Sequence, residues 1–134
     1  MSEWPTRAYL RRRLEAHLTG LGYSCVRVKR TDSLVPEIVR VSPIRGRIAY
    51  GEVVAHGDLR RRRCHRRLLI FSQRRTRHRS SILFFIAVAE ADEPELAALL
   101  QHLEIRNGTR GGHVQVVPIA AAAIQRRTTP SAHG

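Results

Sequence analysis

The stretch that decides the fold runs from Val35 to Val54 and reads VPEIVRVSPIRGRIAYGEVV. β-Branched residues are frequent in segments 35–41 and 46–54, and Pro or Gly bounds each segment, which predicts two short strands joined by a turn at 42–45. Each predicted strand carries one acid inside an apolar run, Glu37 in the first and Glu52 in the second. A carboxylate on a half-buried strand is costly unless a cation neutralises it. These two acids are therefore candidates to share one metal ion, and oxygen ligands suit magnesium.

The order of these elements resembles a known family. A helix, a strand, a second strand opened by Pro36-Glu37 and a third strand reading GRIAYGEVV are similar to the core of the PD-(D/E)xK nucleases, the restriction-endonuclease-like group that includes Holliday junction resolvases. The similarity covers about residues 8–119. It implies an α/β fold of order α-β-β-β-α-β-α-β, with a central mixed sheet flanked by helices. It also implies that Glu37 and Glu52 hold Mg²⁺, or Mn²⁺, for hydrolysis of DNA.

The third motif position departs from the family, because Val54 stands where the nucleases usually have lysine. In the family this lysine helps to position or activate the attacking water. Lys29, the only lysine of the chain, is a candidate replacement, and Glu15 on the first helix is a candidate third carboxylate. Glu15 is alternatively a solvent-facing partner of Arg11 or Arg12 in the preceding turn. The resemblance thus implies weak or absent cleavage, and it suggests Val54→Lys as the change that restores activity.

The remaining elements follow from periodicity and from helix-capping residues. Apolar residues at helical spacing predict a first helix over 7–19, with Thr6 as its N-cap, and alternation predicts a strand over 23–30. Asp58 is the predicted N-cap of a helix over 59–75, and Asp92 caps the next helix. Buried and edge strands are predicted over 81–89 and 113–119. The domain organisation is a flexible N-terminal arm at 1–6, one nuclease-like domain at 7–119, and an Ala-rich, disordered tail at 120–134.

The charge of the chain indicates its partner. The 134 residues contain 24 Lys and Arg against 11 Asp and Glu, a net charge of +13, which favours a polyanion such as nucleic acid over an anionic membrane surface. Ten arginines and no acid lie between residues 59 and 79, so phosphates are the expected counter-charge. The predicted phosphate-binding residues lie on the first two helices: Arg11, Arg12, Arg60, Arg61, Arg62, Arg63, Arg66, Arg67, Arg74 and Arg75.

Three functions are compatible with these patterns. The first is a metal-dependent DNA endonuclease, and the second is a nucleic-acid-binding protein of the same fold with weak or no catalysis. The third is a basic RNA-associated or nucleoid-type protein of another α/β fold, in which the two acids are structural. DNA is favoured over RNA, a homodimer is left open, and a cytoplasmic, nucleoid-associated location is expected because the sequence has no signal-peptide pattern. Cys25 and Cys64 are predicted to be buried free thiols, since they lack the spacing of a zinc site.

Overall fold

A computed structural model describes residues 4–25, 34–42, 47–74, 82–105 and 113–121. It is an α/β chain with a five-stranded mixed sheet flanked by helices, which confirms the predicted α/β class. In chain order the elements are α1 (Arg7–Gly20), β1 (Ser24–Cys25), β2 (Ile38–Val41), β3 (Ile48–Val54), α2 (Arg62–Gln73), β4 (Leu83–Ala89), α3 (Glu93–His102) and β5 (Val114–Ile119). Short 3₁₀ segments, His56–Arg60 and Glu90–Asp92, precede α2 and α3.

The strands lie side by side in the order β1-β2-β3-β4-β5. β1, β2 and β3 form an antiparallel meander, whereas β3, β4 and β5 are parallel. Ile38 pairs with Gly51 in the antiparallel register of β2 and β3. Extending that register by one residue places Glu37 opposite Glu52, and residues directly opposite in an antiparallel pair share one face of the sheet.

The helices cover both faces of the sheet. Leu10, Leu14 and Leu18 of α1 are buried against one face, in a cluster that includes Phe85 and Val53. α2 and α3 cover the other face through the cluster Val54, Leu59, Leu68, Phe71, Phe84, Ile86, Val88, Leu96, Leu100, Ile105 and Val114. β4 is buried on both faces because helices cover it from both sides and strands flank it on both edges. None of the helices in the described ranges is both long enough and apolar enough to cross a bilayer.

The connection from β3 to α2 differs from the prediction. Asp58 does not cap α2, which begins at Arg62 without a side-chain cap. Instead Asp58 lies in the 3₁₀ segment, and its Oδ2 accepts a hydrogen bond of 3.0 Å from the N–H of Ala55. The carboxylate is therefore turned back toward the end of β3, where it becomes part of the site described below.

The predicted N-terminal arm is attached to the domain from residue 4 onward. Trp4 stacks on the imidazole of His56, with ring centroids 3.7 Å apart, and Pro5 is buried. Thr6 accepts a hydrogen bond from the N–H of Tyr9, which confirms it as the N-cap of α1. Several predictions concern residues that the structure does not describe. These are Lys29 and Arg75, residues 26–30 of the first predicted strand, the turn residues 43–46 and the tail from 122 onward.

We expect Gly51→Ala to destabilise the protein, because α1 and β2 approach β3 closely at this residue. A Cβ atom at position 51 would lie 3.0 Å from Cβ of Ile38 and 3.1 Å from Cδ2 of Leu14. Overpacking of this kind costs about 1–3 kcal/mol of unfolding free energy, measurable by urea denaturation. Gly20→Ala is the matched control, since a Cβ there meets no atom within 4 Å and alanine favours the helix. Equal stability of the two variants would contradict the close packing.

Candidate functional site

A cavity of about 420 Å³ lies between the end of β3, the start of α1 and the start of α2. Both acids of the predicted metal site, Glu37 and Glu52, line it, and so the structure brings them together. A third acid, Asp58, joins them. The rest of the lining is basic or neutral and consists of Arg7, Val53, Arg61, Arg63, Cys64 and Arg67. The cavity therefore combines three carboxylates with four guanidinium groups.

Glu52 is paired with a guanidinium inside the protein. Glu52 is only 4% exposed, and Arg67 of α2 forms a bidentate pair with its carboxylate. Nε of Arg67 donates to Oε1 at 2.9 Å, and Nη2 donates to Oε2 at 2.8 Å. The N–H of Glu37 donates a further hydrogen bond of 2.7 Å to Oε2. The hydrogen bonds to Glu52 raise the pKa of the Arg67 guanidinium, although burial opposes this shift. The guanidinium therefore stays charged, and the two side chains satisfy each other's hydrogen-bonding atoms.

The other two carboxylates share a second guanidinium. Arg7, the first residue of α1, donates hydrogen bonds to Oε1 of Glu37 and to Oδ2 of Asp58. Its Nη1 also donates to the carbonyl oxygen of Val53 at 3.3 Å. Arg7 thus connects the N-terminus of α1 to the segment before β2 and to the 3₁₀ segment after β3. Arg61 lies 3.9 Å from Asp58 and is largely exposed.

The donor set does not fit a magnesium ion in this arrangement. Magnesium takes carboxylate oxygens that are free to coordinate it in an octahedron at about 2.0–2.1 Å. Glu37 and Glu52 instead accept hydrogen bonds from Arg7, Arg67 and the backbone. Four guanidinium groups against three carboxylates leave the lining with a net positive charge, which opposes a dication. Within the described residues, no three His, Cys, Asp or Glu side chains come together as a metal-binding group.

Of the remaining predicted catalytic residues, Glu15 does not line this cavity. Glu15 lies on α1 and pairs with Arg11 and with Arg40, each at 3.4 Å. The alternative predicted from the sequence, a partner for Arg11, is therefore confirmed for Glu15. Lys29 lies outside the described residues, so its place relative to Glu37 and Glu52 stays a prediction.

The predicted phosphate-binding arginines fall into two groups. Arg62, Arg63 and Arg66 of α2 are exposed, and no described acid pairs with them. On α1, Arg12 is likewise exposed, and Arg11 is exposed beside Glu15. Arg60 contacts Glu95 only at 3.8 Å, across an exposed surface. These side chains are placed where a polyanion can reach them.

Arg67 and Arg74 are directed inward instead. Besides Glu52, Arg67 binds the carbonyl oxygen of Val35 at 3.0 Å, and Arg74 binds that of Leu34 at 2.6 Å. Both guanidinium carbons lie 5.0 Å from the centre of the Phe71 ring, a cation–π distance. These two arginines therefore attach the segment before β2 to α2, and they differ in this from the exposed arginines of the same helix.

Val54 lies on the same strand face as Glu52 but belongs to the core. It is 1% exposed and packs in the cluster of α2 and α3 with Leu59, Leu68 and Phe71. A lysine at this position would place its ammonium group among apolar side chains. The expectation that Val54→Lys restores a catalytic cation is therefore replaced by the expectation of a buried charge.

A buried thiol forms part of the cavity lining. Burial and, to a smaller extent, the nearby charges of Asp58 and Glu52 raise the pKa of Cys64 to about 12, while Arg7 and Arg67 act in the opposite direction. Cys64 is therefore a neutral thiol at physiological pH and not a nucleophile. Both cysteines are free, as predicted, but the prediction that both are buried is wrong for Cys25, which is exposed at the short edge strand β1.

A second polar cluster lies at the end of β4. Asp92 occupies the N-cap position of α3 but makes no side-chain cap bond, contrary to the prediction. Its buried carboxylate contacts Nδ1 of His56 through both oxygens, at 2.9 and 3.1 Å. This contact anchors the imidazole on which Trp4 stacks, and so it serves the attachment of the N-terminus.

Sequence reasoning missed Arg7, Asp58 and the inward direction of Arg67. Periodicity carried a signal for Arg67, because it lies three residues after Cys64 and four residues before Phe71, both on the apolar side of α2. A charged residue in that row needs an internal partner, and the structure provides Glu52 of β3 as that partner. Nothing comparable in the sequence indicates that Arg7 reaches Glu37, 30 residues away.

Comparison of the chain with protein-family models, curated proteins and solved structures finds no match.

We expect Val54→Lys to lower stability without creating nuclease activity. An uncompensated charge at a buried position costs about 3–5 kcal/mol, which denaturant titration would detect. Ile48→Lys is the matched control, because Ile48 lies on the same strand face but is exposed, so its variant should stay within about 0.5 kcal/mol of wild type. A stable Val54→Lys protein that cleaves plasmid DNA with Mg²⁺ would contradict this account of the site.

We expect Cys25 and Cys64 to differ sharply in alkylation. With a pKa of about 12, only about one Cys64 thiol in 10⁴ is ionised at pH 8, and burial restricts access as well. Treatment with iodoacetamide followed by mass spectrometry should label Cys25 first, and the slow labelling of Cys64 should accelerate about tenfold per pH unit between pH 8 and 10. Fast labelling of Cys64 in the Cys25→Ser variant at pH 8 would show that the cavity thiol is ionised.

Proposed function

We propose that this protein binds nucleic acid, with DNA as the favoured partner, and that it has the PD-(D/E)xK nuclease fold with weak or absent catalysis. The observation that carries the proposal is the outer surface of α2. Arg62 and Arg66 are exposed there, and neither of them has an acidic partner among the described residues. Arginine forks bind phosphate oxygens through paired hydrogen bonds, and phosphate would neutralise their mutual repulsion.

The order of the elements supports the nuclease-like fold. The antiparallel meander β1-β2-β3 is followed by the parallel pairs β3-β4 and β4-β5, with helices on both faces. The register sets Glu37 opposite Glu52 at one end of the meander, and both acids line one cavity. These are the positions that the resemblance assigns to the metal-binding acids.

Two features of the site favour binding over cleavage. The bidentate Arg67–Glu52 pair and the Arg7–Glu37 pair occupy the carboxylates that would otherwise hold a metal. Val54 supplies neither a cation nor a proton acceptor to an attacking water, and it is buried. The acids therefore serve the structure, and the arginine surface serves the nucleic acid.

A metal-dependent nuclease is the second candidate, because Glu37 and Glu52 do line the same cavity. In that function Arg7 and Arg67 would have to release their carboxylates to Mg²⁺ when the substrate arrives. Cleavage of linear, flapped or four-way-junction DNA with Mg²⁺ or Mn²⁺, lost in Glu52→Gln, would favour this candidate. Uncut DNA that is nevertheless bound would favour the first.

We expect the double change Arg62→Gln, Arg66→Gln to weaken DNA binding and its dependence on salt. Each lost phosphate contact reduces the slope of log affinity against log salt concentration by about 0.9 on duplex DNA, so the double variant should lose about 1.8. Fluorescence anisotropy with a labelled duplex between 50 and 200 mM salt measures both effects. The loss should be similar on unrelated sequences, since phosphates carry no sequence information.

The matched control is Arg13→Gln, Arg47→Gln, which removes the same charge from exposed positions on α1 and at the start of β3. This control should change affinity much less, because its arginines lie off the α2 surface. Equal losses in the two double variants would mean that only net charge matters and that α2 is not the interface. A parallel titration with duplex RNA tests the preference for DNA.

A further inference from the structure

The charge of the cavity is opposite to the one that a metal site requires. Three carboxylates line it, and two guanidinium groups, those of Arg7 and Arg67, already neutralise most of their charge. Arg61 and Arg63 are left over. Arg63 pairs with no acid among the described residues, and Arg61 lies 3.9 Å from an Asp58 carboxylate that Arg7 also binds. The lining therefore has an excess of positive charge.

We infer that this cavity binds a phosphate group and not a divalent cation, with Arg61 and Arg63 as the binding residues. An added dication would raise the net charge of the lining from about +1 to about +3, whereas a phosphodiester would bring it to about zero. The volume of about 420 Å³ falls within the range of about 300–1,000 Å³ that is usual for ligand pockets. Arg61 is 71% exposed, so its guanidinium can turn toward an anion without breaking a close pair.

The positions of the arginines on α2 support a second, separate contact with phosphate. Arg63 and Arg67 lie one turn apart and line the cavity, whereas Arg62 and Arg66, also one turn apart, do not line it. Arg67 holds Glu52 in place and thereby keeps that acid from repelling an anion. This inference extends the proposed function and rests on it only for the source of the phosphate, a nucleic-acid strand.

The experiment uses pyrophosphate as the probe of the cavity and MnCl₂ as the probe of a cation site. Isothermal titration of the wild-type protein at low salt should give saturable binding of pyrophosphate and no saturable binding of Mn²⁺. Arg61→Gln, Arg63→Gln should weaken pyrophosphate binding at least tenfold, and its fold can be checked by circular dichroism. Both arginines are exposed, so the variant should remain folded.

Arg13→Gln, Arg47→Gln again serves as the control with the same net charge, and it should bind pyrophosphate within about twofold of wild type, since its arginines lie off the cavity. Equal weakening in both variants would overturn the inference, because binding would then reflect surface charge alone. Saturable Mn²⁺ binding by wild type that is lost in Glu37→Gln would also overturn it. No pyrophosphate binding by wild type would do the same.

The source of the phosphate is separated by competition. If duplex DNA displaces pyrophosphate from wild type, the cavity receives a phosphate of the nucleic acid. If pyrophosphate binds but DNA fails to displace it, the cavity takes a free phosphate compound. Pyrophosphate binding in a protein that does not bind DNA would leave the cavity assignment in place and remove the proposed function. DNA binding that depends on Arg62 and Arg66, without pyrophosphate binding, would do the reverse.

Discussion

The buried ion pair between Arg67 and Glu52 joins α2 to β3, and the other contacts of the cavity are arranged around it. Glu52 stands on β3 at 4% exposure, and a carboxylate in that place must have a cation. Arg67 supplies it from α2 and also binds the carbonyl of Val35, so a single guanidinium joins helix, sheet and the approach to β2. Removing one partner of such a pair leaves a buried charge and costs about 3–5 kcal/mol.

The distribution of the acids leaves a basic surface on the outside of α2. Most of the described acids with a basic partner bind residues at the ends of elements or inside the fold: Glu37 and Asp58 bind Arg7, Glu52 binds Arg67, Glu15 binds Arg40, and Asp92 contacts His56. None of the described acids pairs with Arg62 or Arg66 on the outside of α2. In a chain of net charge +13, these exposed arginines repel one another, and a bound anion would relieve that repulsion.

The sequence was sufficient for the fold class and for the pairing of Glu37 with Glu52. Strand alternation and the bounding Pro and Gly residues located β2 and β3, and a sheet has only two faces on which the acids can lie. Their chemical role was harder to predict, because it depends on Arg7, which comes from a helix far away in the chain. The start of α2 was mispredicted for a related reason: Asp58 has the propensity of an N-cap, but its carboxylate bonds to Ala55 and Arg7. Intrinsic propensity allows Asp58 either as an N-cap or within a 3₁₀ segment, and the tertiary contacts of its carboxylate select the second.

A guanidinium and a divalent cation are alternative ways to stabilise the same buried carboxylates, and they lead to different functions. A metal polarises a phosphate and ionises water, whereas arginine keeps its proton and can only hold charge in place. Paired acids on neighbouring strands therefore do not by themselves establish hydrolysis. Here Arg7 and Arg67 pair with the acids and make them structural. The other arginines, Arg61 and Arg63 at the cavity and Arg62 and Arg66 outside it, are exposed. Under the proposed function, the elements that would bring a metal to DNA in a nuclease serve instead to hold the phosphates.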